Sequence, residues 1–163
     1  MKGDKKIIDI LNDLLAGELT ASDQYLIHGE MVSDLGLSQL AAHMLHESEH
    51  EHLHAKLLIQ RILFLEGTPN VAKRDVLNIG KNVKQMLEND LALEYSVVKH
   101  LKKAIEACEK AGDYVTRDML VTQLDDTEMD HAYWIEKQLK LIKLTGLENY
   151  LQSQTQEAPT QGA

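Results

Sequence analysis

Apolar side chains recur along this chain at intervals of three and four residues, in four long blocks, the spacing of one buried face on an α-helix. The first block follows Asp4, a plausible N-cap, and runs to about Asp34, with Ile7, Ile8, Leu11, Leu14, Leu15, Leu19, Ser22, Tyr25 and Leu26 on its stripe. The second begins with Ser38 as its cap, after a break at Gly36. It reads Leu37, Leu40, Ala41, Met44, Glu47, Glu51, His54, Ala55, Leu58, Ile62 and Leu65 to about Glu66. Gly67-Thr68-Pro69-Asn70 stops it, and residues 67 to about 80 form a link of mixed character. The third, about Lys81 to Lys110, turns Val83, Met86, Leu87, Asp90, Glu94, Val97, Leu101, Ala104 and Cys108 inward. The fourth runs from Gly112 to about Leu144 with Leu120, Leu124, Glu128, His131, Ile135, Leu139 and Ile142 inward. Gly146 then precedes a short amphipathic helix, Leu147 to Gln154, and a polar tail, 156–163, predicted to be disordered. The pattern predicts one all-α domain over residues 1–155: a four-helix bundle, a long crossover between helices 2 and 3, and a short fifth helix.

What interrupts these stripes is chemically uniform. Glu18 and Glu94 each sit in an apolar line, where a carboxylate is costly unless paired or bound to a cation. Glu51 and His54 interrupt the second stripe, and Glu128 and His131 the fourth, each pair three residues apart and so on one helical face. Glu47/His50 and Glu49/His52 fit the same spacing, but Glu51 and His54 are the pair that breaks a line otherwise kept apolar below them. The intervals repeat: Glu18 to Glu51 is 33 positions and Glu94 to Glu128 is 34, as if one helical hairpin were written twice. Two lone Glu and two E-x-x-H pairs on four helices make the ligand set of a di-iron carboxylate bundle. Tyr25, two turns after Glu18, can donate a hydrogen bond to one of these carboxylates or serve as a core aromatic. The fourth helix carries one residue more between glycine and ligand pair than the second. In a regular helix that would rotate the ligands by about 100°, so a π-bulge or a longer turn is expected there.

Composition narrows the function classes. Leu, Ala, Glu, Lys, Gln and Met dominate, Pro occurs twice, and there is one Phe and one Trp. A net charge of −9 opposes general nucleic-acid binding and suits attraction of cations. One cysteine, Cys108, excludes an internal disulfide framework, and no stretch has the length and hydropathy of a signal peptide or membrane span. A cytoplasmic protein is expected.

With these residues placed, the chain resembles the bacterioferritins over essentially residues 1–155. MKGDKKIIDILNDLLAGEL at the start, RILFLEGTPN at 61–70, DYVTRDML at 113–120 and GLENYLQSQ at 146–154 carry the likeness. The resemblance implies a ferritin-like bundle assembled into a cage of twenty-four subunits. It also implies a ferroxidase that oxidises Fe(II) with O2 or peroxide and stores the Fe(III) mineral inside. The six family ligands map to Glu18, Glu51, His54, Glu94, Glu128 and His131. Glu18 and His54 would serve one iron, Glu94 and His131 the other, with Glu51 and Glu128 bridging.

Two positions depart from that family. Its haem b is held between two subunits by a Met from each, and His52 stands at that position here. Imidazole can ligate haem iron, while a solvated surface histidine is the plainer reading. The pattern resembles subunits that keep the oxidation site, lack the haem Met and co-assemble with a Met-bearing, haem-binding subunit. His50 replaces a frequent Asp, and with His46 would form an accessory iron site. A rival reading makes the chain a cage-building or haem-binding partner whose metal site is secondary. A di-iron oxygenase fits less well, since the bundle uses nearly the whole length.

Overall fold

The computed structural model describes residues 1–155, so the polar tail at 156–163 lies outside the described residues. Four long helical rods form: α1 (Lys5–Asp34), α2 (Ser38–Phe64), α3 (Val83–Ala111), and a fourth made of α4 (Tyr114–Asp126), a π-helical segment (Thr127–Ala132) and α5 (Tyr133–Thr145). The short α6 (Leu147–Ser153) follows. Asp4 caps α1 by accepting a hydrogen bond from the Lys6 amide, and Asn82 and Asp113 cap α3 and α4 in the same way. Ser38 does not cap: it is the first residue of α2, and Leu37 before it makes no side-chain cap bond. Gly112, at φ 70°, turns the chain between α3 and α4.

Contacts between the rods and their flanking residues fix the directions. Gly3 meets Leu65, and Ser22 meets Ser48, so α1 and α2 are antiparallel. Gln24 reaches Asp90, and Ile10 and Leu14 face Ala104, so α3 also runs against α1. Arg61 holds Asp113 and Thr116, while His43 stacks on Trp134, so the fourth rod runs against α2. Consequently α2 and α3 are parallel, and the chain between them must travel the length of the bundle. At about 1.5 Å per residue the helices are roughly 40 Å long, and the eighteen residues from 65 to 82, which lie outside the helices, are enough to cover that span.

A polar ladder on α1 holds this crossover. Asn12, Thr20, Gln24 and His28 lie at multiples of four along one stripe, and each accepts a hydrogen bond from a crossover amide: Asn70, Asp75, Asn78 and Gly80, at 2.7, 2.8, 3.0 and 3.0 Å. His28 receives the Gly80 N–H on Nε2, so its proton sits on Nδ1, which faces the Asp90 carboxylate at 2.8 Å. Gly80 is there because nothing larger fits: a Cβ would lie 2.4 Å from the Met86 amide nitrogen and 2.6 Å from its Cα. Gly80→Ala is therefore expected to cost about 1–3 kcal/mol, read as a lowered denaturation midpoint with an unchanged slope.

The core has two halves. Leu11, Leu15, Leu58, Ile62, Leu101, Cys108 and Leu120 fill one end. Val32, Leu40, Met44, Met86, Leu87, Ile135 and Ile142 fill the other, where α6 inserts the buried ring of Tyr150. Leu26, on the predicted stripe, is instead half exposed. Between the two halves lies a layer that is polar and dry.

Candidate metal centre

Each helix brings its acid or imidazole to this middle layer because the residue replaces an apolar one in an otherwise buried stripe. Glu18 on α1, Glu51 and His54 on α2, Glu94 on α3 and His131 on the π segment are all 5% exposed or less. Glu51 is the centre of the arrangement. Its Oε2 lies 3.2 Å from His54 Nδ1 and its Oε1 lies 2.7 Å from His131 Nδ1. Glu18 stands 3.7 Å from the same His54 nitrogen and Glu94 3.7 Å from the same His131 nitrogen. Two triads result, Glu18/Glu51/His54 and Glu51/Glu94/His131, with ligand atoms within 4.8 Å of one another. Tyr25, buried, donates a short hydrogen bond to Glu94 Oε1. Asp126 meets the far nitrogen of His54 at 3.4 Å, which helps keep its Nδ1 turned inward.

Glu128 is not among them. It is exposed and pairs with Lys102 at 2.5 Å, contrary to the sequence expectation that it points inward as the second bridging ligand. The extra residue is absorbed by the π segment, as expected, but at a consequence for spacing. A π turn has i→i+5 bonds and advances each residue by less than the α-helix's rotation of about 100°. Residues four apart then line up, and residues three apart do not. Thr127, fully buried, takes the line of His131, and its hydroxyl is bonded back to the Gln123 carbonyl at 2.8 Å. The fourth buried carboxylate is instead Glu47, one turn before Glu51, 2% exposed, with Oε2 3.0 Å from His131 Nε2. Glu47 is legible in the sequence as a member of the second stripe and of the Glu47/His50 pair.

The geometry suits cations better than the side chains suit one another. Both Glu18 oxygens, Glu47 Oε2, Glu51 Oε1, Glu94 Oε2 and His131 Nδ1 are buried without a hydrogen-bond partner. Glu51 Oε1 and His131 Nδ1 are only 2.7 Å apart and still misaligned for a hydrogen bond. Such groups point at shared space, as ligands do, and an unmet buried charge is too costly to leave uncompensated. Oxygen and imidazole donors of this kind suit iron.

Protons provide part of the compensation without metal. Against the effect of burial, the neighbouring carboxylates of Glu18 and Glu51 raise the His54 pKa to about 10. Against burial too, Glu51 and Glu94 push His131 up to about 12. Burial raises Glu47 and, with the charge of Glu51, Glu94 to about 7, and it lifts Glu18 well above the carboxylate range. Glu51, although buried, is held well below that range by the imidazoles of His131 and His54.

A pH dependence follows. Glu47 and Glu94 have folded pKa values above their ordinary 4.5, so their contribution to the metal-free fold is full below about 4.5 and lost as pH rises through about 7. The two histidines contribute fully below about 6.5 and lose it only towards about 10 and 12. Cations must displace these protons, each worth about 1.4 kcal/mol per pH unit. The melting-temperature gain from excess Zn(II) should therefore grow between pH 5 and 8. A gain independent of pH would contradict these protonation states.

The remaining histidines lie further out. His50, half-buried, has Nδ1 3.3 Å from His131 Nε2, and the exposed His46 ring is centred 5.2 Å from that of His50. His52 is exposed beside a cleft of about 420 Å³ lined by Ser22, Ser48, Glu49 and Leu53.

A Ferritin-like domain description matches residues 8–145. The chain is 52% identical to the bacterial ferritin of Synechocystis sp. over 154 residues, which cover 94% of this chain and 99% of that one. It is 53% identical over the same shares to the bacterial ferritin of Pseudomonas aeruginosa. Identity to the bacterioferritin of Brucella melitensis is 43% over 150 residues, 92% of each chain. The chain belongs to the ferritin family. Iron storage is the function of this ferritin, and the buried layer between its two apolar half-cores is where its sequence and its fold jointly place groups able to hold iron.

Proposed function

We propose that this ferritin is a ferroxidase acting on Fe(II) at the two triads that share Glu51. The observation that carries the reading is the set of buried, partnerless carboxylate oxygens converging with His54 and His131. Glu18 and His54 hold one Fe(II), Glu94 and His131 the other, and Glu51 offers one oxygen to each. Two Fe(II) give up one electron apiece, O2 takes both with two protons, and H2O2 leaves. With peroxide as oxidant, the same two electrons and two protons give two waters. Four carboxylates (Glu18, Glu47, Glu51 and Glu94) balance two Fe(II), whereas two Fe(III) leave a net positive charge. That excess favours release of the oxidised pair, which then hydrolyses to mineral. Tyr25 fixes the Glu94 carboxylate through its hydrogen bond.

Deposition requires an enclosed space, and we take the assembly to be a cage of twenty-four subunits. Leu26, Leu53 and Leu57 are exposed on α1 and α2 of the single chain, apolar surface suited to burial against another copy. His52 at the haem position supports a mixed cage in which a Met-bearing subunit supplies haem b. No described helix is long and apolar enough to cross a membrane, in keeping with a cytoplasmic location. The test is stepwise Fe(II) addition under air to the purified assembly. A fast oxidation phase that saturates near two irons per subunit is expected, and a phase without saturation, or one unaltered in His131→Ala, would defeat the reading. Native mass and a visible spectrum of the protein produced alone decide the cage and the haem.

A further inference from the structure

The crossover follows α3 at one end and leaves it along the rest of its course. Near its C-terminal end it is tied to α3, where Asn89 Nδ2 donates to the Asn78 carbonyl at 3.0 Å. From residue 77 back to 70, its hydrogen bonds and ion pairs to the helices run to α1 instead, among the described residues. The Asp75 amide donates to Thr20 at 2.8 Å, Arg74 meets Asp23 at 2.8 Å, Lys73 meets Asp13 at 2.6 Å and the Asn70 amide donates to Asn12 at 2.7 Å. A cleft of about 370 Å³ opens where crossover and α3 part, a size within the roughly 300–1,000 Å³ range of small-molecule sites. Its floor is apolar: Leu14 and Ala104 belong to the core, at 5% and 1% exposure, and Ile10 is half-buried. Lys73 and Asp75 form the crossover wall, and His100 and Lys103 form the α3 wall.

We propose that this cleft binds a small amphipathic organic monoanion, with its apolar body on Ile10, Leu14 and Ala104 and its carboxylate on Lys103. The charges on the two walls carry the choice. Lys73 is already committed to Asp13 at 2.6 Å, which offsets its charge and fixes the wall on which it stands. Lys103 and His100 are exposed and have no hydrogen bond or ion pair among the described residues, so the α3 wall offers an ammonium and an imidazole N–H to an incoming anion. Asp75 lines the opposite wall, and its charge disfavours a second negative group on the same ligand. An apolar body covers the floor and removes its surface from water. A ligand seated in this way bridges α3 and the stretch of crossover that the protein itself ties only to α1. Occupancy therefore fastens the crossover on its loose side, and binding to the folded chain alone raises its melting temperature.

The test is saturation-transfer difference NMR of 2-naphthoate with the purified assembly, beside two probes of the same ring system, 2-naphthamide and naphthalene-2,6-dicarboxylate. Saturable binding of 2-naphthoate is expected, with the uncharged amide about tenfold weaker, as loss of a hydrogen bond to a charged group implies, and the dianion weaker as well. Lys103→Gln should weaken 2-naphthoate about tenfold and leave 2-naphthamide unchanged, while Lys103→Arg restores the preference for the anion. Lys103 is exposed, and an unchanged native mass and melting temperature of the unliganded variants report an intact fold. The melting temperature of the parent assembly should rise with 2-naphthoate, and that of Lys103→Gln should rise less. Absence of saturable binding, equal binding of acid and amide, a dianion that binds more tightly than the monoanion, or 2-naphthoate binding unaltered in Lys103→Gln would each overturn the proposal. None of these outcomes bears on the ferroxidase reading, which rests on other residues.

Discussion

Glu51→Gln is expected to abolish the proposed fast phase of Fe(II) oxidation. The effect should exceed the roughly 10–100-fold that loss of a supporting partner costs at a metal site, because Glu51 is, among the described residues, the one side chain whose two oxygens face both imidazoles, at 3.2 and 2.7 Å. The amide keeps the shape, so folding is preserved. It replaces one oxygen by a donor, however, and removes the negative charge that both cation positions share. Glu18→Gln touches one triad only and should leave binding of a single Zn(II) at the Glu94/His131 side. The pair of variants therefore separates a bridging role from a one-sided one. Stopped-flow oxidation and Zn(II) stoichiometry by calorimetry provide the measurement. Equal losses in the two variants would remove Glu51 from the centre of the site.

Deleting Thr127 should restore a regular helix through the fourth rod and tighten divalent binding by about tenfold, or 1.4 kcal/mol. The deletion keeps Glu128, Met129, Asp130 and His131 in sequence but removes the residue that the π segment accommodates. With uniform α-helical spacing the Glu and the His three positions later again share a face, so Glu128 leaves Lys102 and enters the buried layer. In the parent chain, Glu128→Ala should change Zn(II) affinity by less than about twofold, since an exposed ion pair contributes little. A crystal structure of the deletion variant with Zn(II) decides the first point and calorimetry the second. If Glu128→Ala in the parent chain weakens Zn(II) as much as Glu51→Gln, Glu128 is a ligand after all and Glu47 is not its replacement.

These variants mark where the sequence is legible and where it stops being so. The four rods and the small fifth helix appear within about two residues of the positions expected from apolar spacing. That agreement has a simple origin: a stripe of Leu, Ile, Val and Met at intervals of three and four admits one way of being buried. Glu18, Glu51, His54 and Glu94 were legible for the same reason, since each is a polar residue in a line of apolar ones on an uninterrupted α-helix. The π segment was legible too, as a count of one residue too many between Gly112 and the ligand pair.

What a count could not supply was the side of the helix on which the surplus would be spent. Glu128 and Glu47 carry the same group, both lie on a nominal core stripe, and both precede a histidine by three residues or stand near one. The π turn sends Glu128 out to Lys102 and puts Thr127 in line with His131. The packing of α2 against that turn brings Glu47 to the vacated edge. The polar ladder under the crossover was hidden likewise, because Asn12, Thr20, Gln24 and His28 acquire meaning only when the extended link lies on them. By itself the sequence determined which faces of α1, α2 and α3 are dry and that Glu18, Glu51, His54 and Glu94 stand in them, because an apolar stripe on an uninterrupted helix admits one way of being buried. Only the tertiary structure decided which further carboxylate lies buried beside His131, because that depends on the rotation of one helix against its neighbour, a quantity that no spacing along a single chain contains.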